Sequence, residues 1–184
     1  MKRWIPNSLT VLRFILVPVF LYYLFVSVND MRVEISLLIF LIASFTDYLD
    51  GMLARKMQVV SDFGKIMDPL ADKVLVLSAL AGLCWLPPYQ LSKIIFYIIL
   101  VRELLITILR EVYQHKGIVV AADIFGKVKT VMQMLGIIAA FILWVLLPII
   151  PPSVHLVIDL WFALVAGVTV ASGFNYLKVL TPRS

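Results

Sequence analysis

The stretch DYLDGMLARKMQVVSDFGKIMDPLAD, residues 47–72, lies between two long apolar runs and carries, besides Asp62, four acids at helical spacing. Asp47 and Asp50 are three residues apart, and Asp68 and Asp72 are four apart, so each pair lies on one face of a helix. A short loop between the two helices would place all four carboxylates near the same end. Ionisable groups inside apolar helices are costly and need a reason. The stretch therefore predicts two adjoining helices that share one polar cavity.

The composition of the whole chain indicates the environment of these helices. Of the 184 residues, 62% are hydrophobic, and the mean hydropathy is +1.03. This excess over soluble proteins predicts an all-α, polytopic membrane protein that forms a single domain over residues 1–184. A short interfacial segment around Lys2–Asn7 is expected before the first span. The six predicted transmembrane helices are Leu9–Val28, Ile35–Leu53, Leu70–Leu86, Ile94–Arg110, Val131–Ile150 and Val154–Tyr176.

The distribution of cations predicts the orientation, because membrane proteins retain Lys and Arg on the cytoplasmic side. Of the 16 Lys and Arg residues, all but Arg32 and Lys93 fall in or beside the two termini and alternate loops. These segments are residues 1–13, 54–73, 102–129 and 178–184. Both termini are therefore expected in the cytoplasm, with the four acids at the cytosolic ends of their helices. Topology accounts for the net charge of +5, so no nucleic acid partner is expected. The aromatic residues expected near the outer boundary are Trp85, Tyr89, Trp144 and Trp161.

Four carboxylates in one cavity would repel one another, and bound divalent cations would relieve that repulsion. Hard oxygen ligands suit Mg²⁺ or Mn²⁺, and two such ions can hold both sides of a phosphoryl displacement. Two alternatives remain open. The acids could form structural pairs with the nearby cations, which are Arg55, Lys56, Lys65 and Lys73. They could also line a cation or proton pathway, although the polar residues crowd one leaflet and the chain has no evident repeat.

The fixed residues between the acids give a specific pattern, D-x2-D-G-x2-A-R-x8-G-x3-D-x3-D. It resembles the signature of the CDP-alcohol phosphatidyltransferase family, with no fixed position missing. The resemblance implies a metal-dependent membrane enzyme of six spans, a homodimer in the bacterial cell membrane, whose active site faces the cytosol. It also implies that Asp47, Asp50 and Asp68 bind the metals and that Asp72 is the general base and also contacts a metal. The positions that would line the cytidine diphosphate site are Gly51, Ala54, Arg55 and Gly64.

The opening of the chain, PNSLT at residues 6–10 followed by Arg13, resembles the branch of the family that uses glycerol phosphate. In the family the start of the first helix borders the nucleotide, so the resemblance implies that Asn7 and Thr10 contact the CDP-lipid. The other interpretation is local, because Asn7 or Ser8 would serve equally well as the N-cap of that helix.

The second half of the chain carries a group of cations that indicates the acceptor. The strings R-E-x6-R from Arg102 and G-K-x-K-T-x2-Q from Gly126 resemble the same branch. An acceptor that carries a phosphate would explain cations beside a metal site, whereas positive-inside topology alone would explain Lys127. Glycerol 3-phosphate is therefore expected as acceptor and CDP-diacylglycerol as donor. Inositol phosphate, serine and phosphatidylglycerol remain as alternative acceptors. The residues expected to hold the acceptor phosphate are Arg102, Arg110, Lys127 and Lys129.

Three residues receive no chemical role from the sequence. Cys84 lies in an apolar run, where a small packing residue is expected. His155 and Asp159 are four residues apart, so they are expected to form a local pair on one helix.

Overall fold

The computed structural model describes residues 4–57, 62–115, 124–147 and 149–180. These residues form helices and short connections, and no strand occurs among them. The prediction of an all-α protein is therefore confirmed for the described part of the chain. A five-residue π-helical segment, Tyr22–Val26, directly continues the first helix. The helices are α1 Trp4–Leu21, α2 Arg32–Met57, α3 Asp62–Trp85, α4 Lys93–His115, α5 Ile124–Leu146 and α6 Pro152–Leu180.

The observed helices extend beyond the predicted spans at their polar ends. The second continues from Leu53 to Met57, and the third begins at Asp62 rather than at Leu70. Hydropathy marks only the residues that lipid tolerates, whereas a helix continues wherever its backbone can hydrogen-bond to itself. As a result, every fixed residue of the signature lies inside a helix.

The beginning of the chain differs from the prediction. Helix α1 starts at Trp4, so residues 4–7 form its first turn instead of a separate segment, while Lys2 lies outside the described residues. Asn7 and Ser8 therefore lie within the helix and do not cap it.

Two of the described helices are long and apolar enough to cross a membrane. They are Gly126–Leu146, with a mean hydropathy of 1.9, and Pro152–Phe174, with a mean hydropathy of 2.0. A shorter apolar helix covers Val11–Val26. Helices α2, α3 and α4 carry charged residues along their length, so length and composition do not establish them as spans. The number of six spans and the cytoplasmic termini remain predictions.

The chain divides into two compact units, the first of which comprises residues 1–82 and 141–147. Helices α1 and α2 pack against each other there. Three buried aromatic rings form the centre of this unit, with centroids 6.0 Å apart between Phe20 and Phe40 and 6.4 Å from either ring to Phe141. Large aromatic side chains bury much apolar surface each, so these rings contribute to the stability of this unit.

The second unit comprises residues 83–140 and 148–184. Helices α4 and α6 pack together, and Trp161 on α6 donates a hydrogen bond of 3.1 Å to the Met132 carbonyl on α5. Tyr89, between α3 and α4, donates a hydrogen bond of 2.9 Å to the Ala140 carbonyl. Tyr89 is fully buried, so it is a packing residue of this unit, and its place near the outer boundary of the membrane remains a prediction.

Two local expectations are confirmed in the second unit. His155 Nδ1 lies 2.8 Å from the Asp159 carboxylate, and Nε2 of the same ring contacts the Tyr89 carbonyl. Cys84 is buried, as expected of a packing residue. The single domain proposed for residues 1–184 remains a prediction.

Candidate active site

The four acids of the signature lie at matching depths in α2 and α3. Asp47 lies ten residues before the end of α2 at Met57, and Asp72 lies ten residues after the start of α3 at Asp62, which is about 15 Å along each helix. Asp50 and Asp68 lie about 10 Å from the same two helix ends. Only four residues join Met57 to Asp62, so the covalent chain keeps these ends within about 18 Å. Such a short connection favours antiparallel neighbours, which would bring the acids to one level.

Asp47 is held by an arginine to which the sequence assigned no role. Arg13 NH1 on α1 lies 2.7 Å from Asp47 Oδ1 on α2. The Arg13 side chain is only 1% exposed, whereas the Asp47 side chain is 43% exposed. The guanidinium thus contacts Asp47 from the protein interior, while the Asp47 side chain remains partly exposed. A positioned and partly exposed carboxylate is a suitable oxygen donor for a divalent cation.

The remaining residues of the predicted donor site lie in helices, but their side chains are not described. They are Asn7 and Thr10 on α1, Asp50, Gly51, Ala54 and Arg55 on α2, and Gly64 and Asp68 on α3. The described side chains contain no group of three or more His, Cys, Asp or Glu that could hold a metal, and Asp50 and Asp68 are not among them. Asp72 is described and is partly exposed. The carboxylates of Asp47 and Asp72, together with the sequence spacing of Asp50 and Asp68, suit a divalent cation, which prefers oxygen ligands.

Arg102 and Lys129, two of the predicted acceptor residues, lie in one polar cluster of the second unit. Glu103 joins them, because its Oε1 lies 3.3 Å from Arg102 NH1 and also accepts a hydrogen bond from Lys129 Nζ. Arg102 NH2 donates a hydrogen bond of 2.5 Å to Ser172 Oγ. The cluster therefore connects α4 and α5 through nearly buried charged groups, and α4 to α6 through the buried Ser172 hydroxyl.

Glycines on two helices lie beside the Arg102 side chain, at distances where an added Cβ would make an ordinary van der Waals contact. A Cβ added at Gly126 would lie 3.8 Å from Arg102 NH2, and one added at Gly173 would lie 3.6 Å from Arg102 Cγ. Beside this side chain, α4 and α6 form an open, apolar groove of about 510 Å³. The groove is lined on α4 mainly by Ile94, Tyr97, Ile98, Val101 and Leu105, and on α6 by Val170, Gly173 and Phe174.

The other two predicted acceptor residues lie apart from this cluster in the described structure. Arg110 is exposed and lies eight residues beyond Arg102 on α4, which is about 12 Å along the helix. Lys127 is exposed in the first turn of α5. The structure thus brings together Arg102 and Lys129, and it leaves Arg110 and Lys127 on the surface of the second unit.

Three residues of these sites received no role from the sequence. Arg13 carried a signal, because a cation in the middle of an apolar run needs a partner. Glu103 carried a similar signal, since it is the acid beside Arg102 in the middle of α4. Ser172 carried none, because a serine in an apolar helix is common.

Comparison with known proteins gives a consistent result over most of the chain. The model of the CDP-alcohol phosphatidyltransferase family matches residues 3–170. Three relatives share the name CDP-diacylglycerol–glycerol-3-phosphate 3-phosphatidyltransferase. The protein of Mycoplasma genitalium is 39% identical over 159 residues, which cover 78% of this chain and 66% of that protein, just under two thirds of its length. The protein of Bacillus subtilis is 37% identical over 73% of this chain and 75% of its own length. That of Rickettsia felis is 33% identical over 95% of this chain and 93% of its own length.

Proposed function

This chain belongs to the CDP-alcohol phosphatidyltransferase family, and on that premise we propose that it transfers the phosphatidyl group of CDP-diacylglycerol to glycerol 3-phosphate. The products are phosphatidylglycerophosphate and CMP, which makes the chain an enzyme of phospholipid biosynthesis. The observation that carries the proposal is the complete eight-residue signature from Asp47 to Asp72 in a chain whose relatives are named for this reaction.

Asp47, Asp50 and Asp68 are assigned to two divalent ions, Mg²⁺ or Mn²⁺, with Asp72 beside them. When bound, such ions neutralise charge on the reacting phosphates and stabilise the departing CMP. Arg13 supports this assignment, because it holds Asp47 by one oxygen and leaves the carboxylate partly exposed. A carboxylate fixed before the metal arrives loses less conformational freedom when it binds.

Asp72 is assigned as the general base. It accepts the proton of a glycerol 3-phosphate hydroxyl as the oxygen of that hydroxyl attacks the phosphorus that carries diacylglycerol. The bond from this phosphorus to the CMP oxygen breaks, and CMP leaves with the bonding electrons. The residues assigned to the CDP-lipid are Asn7, Thr10, Gly51, Ala54, Arg55 and Gly64. Arg55 would supply a planar cation for a phosphate, and the glycines and alanine would let the nucleotide approach the helix backbone.

Arg102 and Lys129 are assigned to the phosphate of the acceptor, with Arg110 and Lys127 as further cations. The polar cluster of α4, α5 and α6 supports this, because two nearly buried cations share one anionic partner there. Charge-assisted hydrogen bonds to phosphate are stronger than neutral ones, and an arginine can make two at once. An uncharged alcohol would leave this pair of cations unused.

The proposal places the enzyme in the bacterial cell membrane as a homodimer with six membrane helices. Two apolar helices of sufficient length support insertion, and the cations concentrated in the termini and alternate loops support cytoplasmic termini. The acids and the acceptor cations would then face the cytosol, where the soluble acceptor is available.

The reaction is tested by release of CMP from CDP-diacylglycerol with purified protein in detergent and Mg²⁺. Glycerol 3-phosphate is expected to support release, whereas free glycerol, serine, inositol phosphate and phosphatidylglycerol are not. Release with phosphatidylglycerol would make the protein a cardiolipin synthase, and release with inositol phosphate would also replace the proposed acceptor. No release with any acceptor would favour a transport role for the buried acids.

Arg110→Ala tests whether Arg110 belongs to the acceptor site. We expect a higher KM for glycerol 3-phosphate and little change in the KM for CDP-diacylglycerol, because only the acceptor loses a cation. Arg32→Ala, which removes a cation from the start of α2, is the matched control and should change neither value. A defect of Arg110→Ala confined to CDP-diacylglycerol would assign this arginine to the donor.

A further inference from the structure

Glu103 is an acid that the proposed reaction does not use, yet it lies between two cations assigned to the acceptor. Its side chain is 14% exposed, and those of Arg102 and Lys129 are 15% and 5% exposed. Both cations contact the same oxygen, Oε1. That oxygen therefore occupies a position in which one oxygen of a bound phosphate could contact the same two groups.

The burial of these groups explains why a carboxylate lies between the two cations. Two cations held close together in a poorly hydrated interior repel each other and lose hydration, and both effects disfavour the folded state. A carboxylate between them offsets part of that cost while no substrate is present. The contact of Arg102 on α4 with Ser172 on α6, and that of Lys129 on α5 with Glu103 on α4, also hold the two cations in one arrangement.

We propose that Glu103 is the internal counter-anion of the acceptor site, a positioning residue that holds Lys129 and Arg102 and yields them to the incoming phosphate. The inference rests on the proposed function, because it takes these cations as the acceptor site. A phosphate monoester carries a charge of about −1.5 to −2 at pH 7 and three strong acceptor oxygens. It therefore displaces a single carboxylate, whereas an uncharged alcohol does not. Glu103 makes the site select a phosphorylated acceptor.

Glu103→Gln separates this role from a structural one, because it removes one negative charge and keeps nearly the same shape. The probe is inorganic phosphate, which carries the recognised group without an alcohol. In full-length protein in detergent, we expect Glu103→Gln to be less stable than wild type without phosphate and to gain more stability from added phosphate. The inhibition constant of phosphate against glycerol 3-phosphate should fall on the order of tenfold, because a like charge beside the bound anion is gone.

Glu111→Gln is the matched control, since it makes the same change at an exposed position of the same helix. It should respond to phosphate as wild type does. A Glu103→Gln protein whose stability and inhibition respond to phosphate no more than those of Glu111→Gln would overturn the proposal.

A second variant keeps the test decisive where Glu103→Gln does not fold. The double variant combines Glu103→Gln with Lys129→Met, which removes the cation that has lost the Glu103 carboxylate. It should therefore fold and should lose the response to phosphate. Failure of the double variant to fold, or a retained response, would refute a counter-anion role. Wild-type protein that phosphate does not inhibit and that uses an uncharged acceptor would instead overturn the proposed function. If phosphate inhibits wild type competitively and Glu103→Gln responds to phosphate as wild type does, only this inference is overturned.

Discussion

Gly136 on α5 is a position where one added carbon tests the packing that holds α5 against α6. A Cβ at this position would lie 2.5 Å from Trp161 Nε1 and 3.2 Å from Phe162 Cζ. The same indole nitrogen donates its hydrogen bond to the Met132 carbonyl. Gly136→Ala therefore requires the indole ring to move, and this motion would break or weaken that hydrogen bond. Because α5 carries Lys129 and α6 carries Ser172, the contact also supports the polar cluster.

The expected loss of stability follows from three contributions. Overpacking of a tight contact costs about 1–3 kcal/mol, and loss of the indole hydrogen bond costs about 1 kcal/mol. The higher helix propensity of alanine returns about 1 kcal/mol. The net loss in the free energy of unfolding is therefore about 1–3 kcal/mol. For a chain of this size, that corresponds to a fall in Tm of about 2–12 °C.

The assay is thermal unfolding of the purified proteins in the same detergent, with Gly167→Ala as the matched control. Gly167 lies in α6, and a Cβ there would meet no atom within 4 Å. The same substitution should therefore stabilise the protein by about 0.5–1 kcal/mol through helix propensity alone. The two variants are expected to shift Tm in opposite directions.

A Gly136→Ala protein at least as stable as wild type would contradict the packing of Trp161 against α5. An equal fall in both variants would also refute the reasoning, because it would show that alanine acts on the helix backbone and not through Trp161.

Three further predictions concern the acids and Tyr89. Asp50→Asn should abolish CMP release and bind Mg²⁺ weakly in calorimetry while its Tm without metal stays equal or rises, because carboxylate repulsion falls; wild-type turnover at low Mg²⁺ would contradict the metal assignment. Asp72→Asn should lower turnover by about 10²–10⁴-fold while donor and metal still bind, and an equal loss of metal affinity would make Asp72 mainly a ligand. Burial raises the pKa of Tyr89 from 10.0 to about 12. The stability that its neutral phenol contributes is therefore complete below pH 10 and is lost as the pH rises through about 12. Tyr89→Phe should lack this alkaline loss in unfolding curves at pH 8 and pH 11.

The sequence predicted the helices well, because a long apolar run favours a helix whatever contacts the rest of the chain makes. Spacings of three and four residues place Asp47 with Asp50 and Asp68 with Asp72 on helix faces without any knowledge of the fold. The helix ends were predicted less well. Hydropathy falls at the charged residues near Met57 and Asp62. The helical hydrogen bonding of the backbone nevertheless continues to Met57 in α2 and begins at Asp62 in α3.

Contacts between distant parts of the chain were not predictable from local patterns. The pairing of Arg13 with Asp47 requires that α1 packs against α2, and that of Arg102 with Ser172 joins residues 70 positions apart. Tyr89 was expected at the membrane interface, as its type favours. Its burial depends on a backbone carbonyl at Ala140 that no feature near Tyr89 reveals.

Tyr89 belongs to the connection between α3 and α4, yet Ala140 and His155, with which it hydrogen-bonds, are synthesised much later. Ala140 follows it by 51 residues and His155 by 66. Ribosomes add about 5–20 residues per second, so roughly 3–13 s separate the synthesis of Tyr89 and His155. During that interval the nascent connection has only its local hydrogen bonds, such as that from Leu91 N to the Leu83 carbonyl. Its contacts with Ala140 and His155 therefore form only after α5 and the start of α6 have been translated.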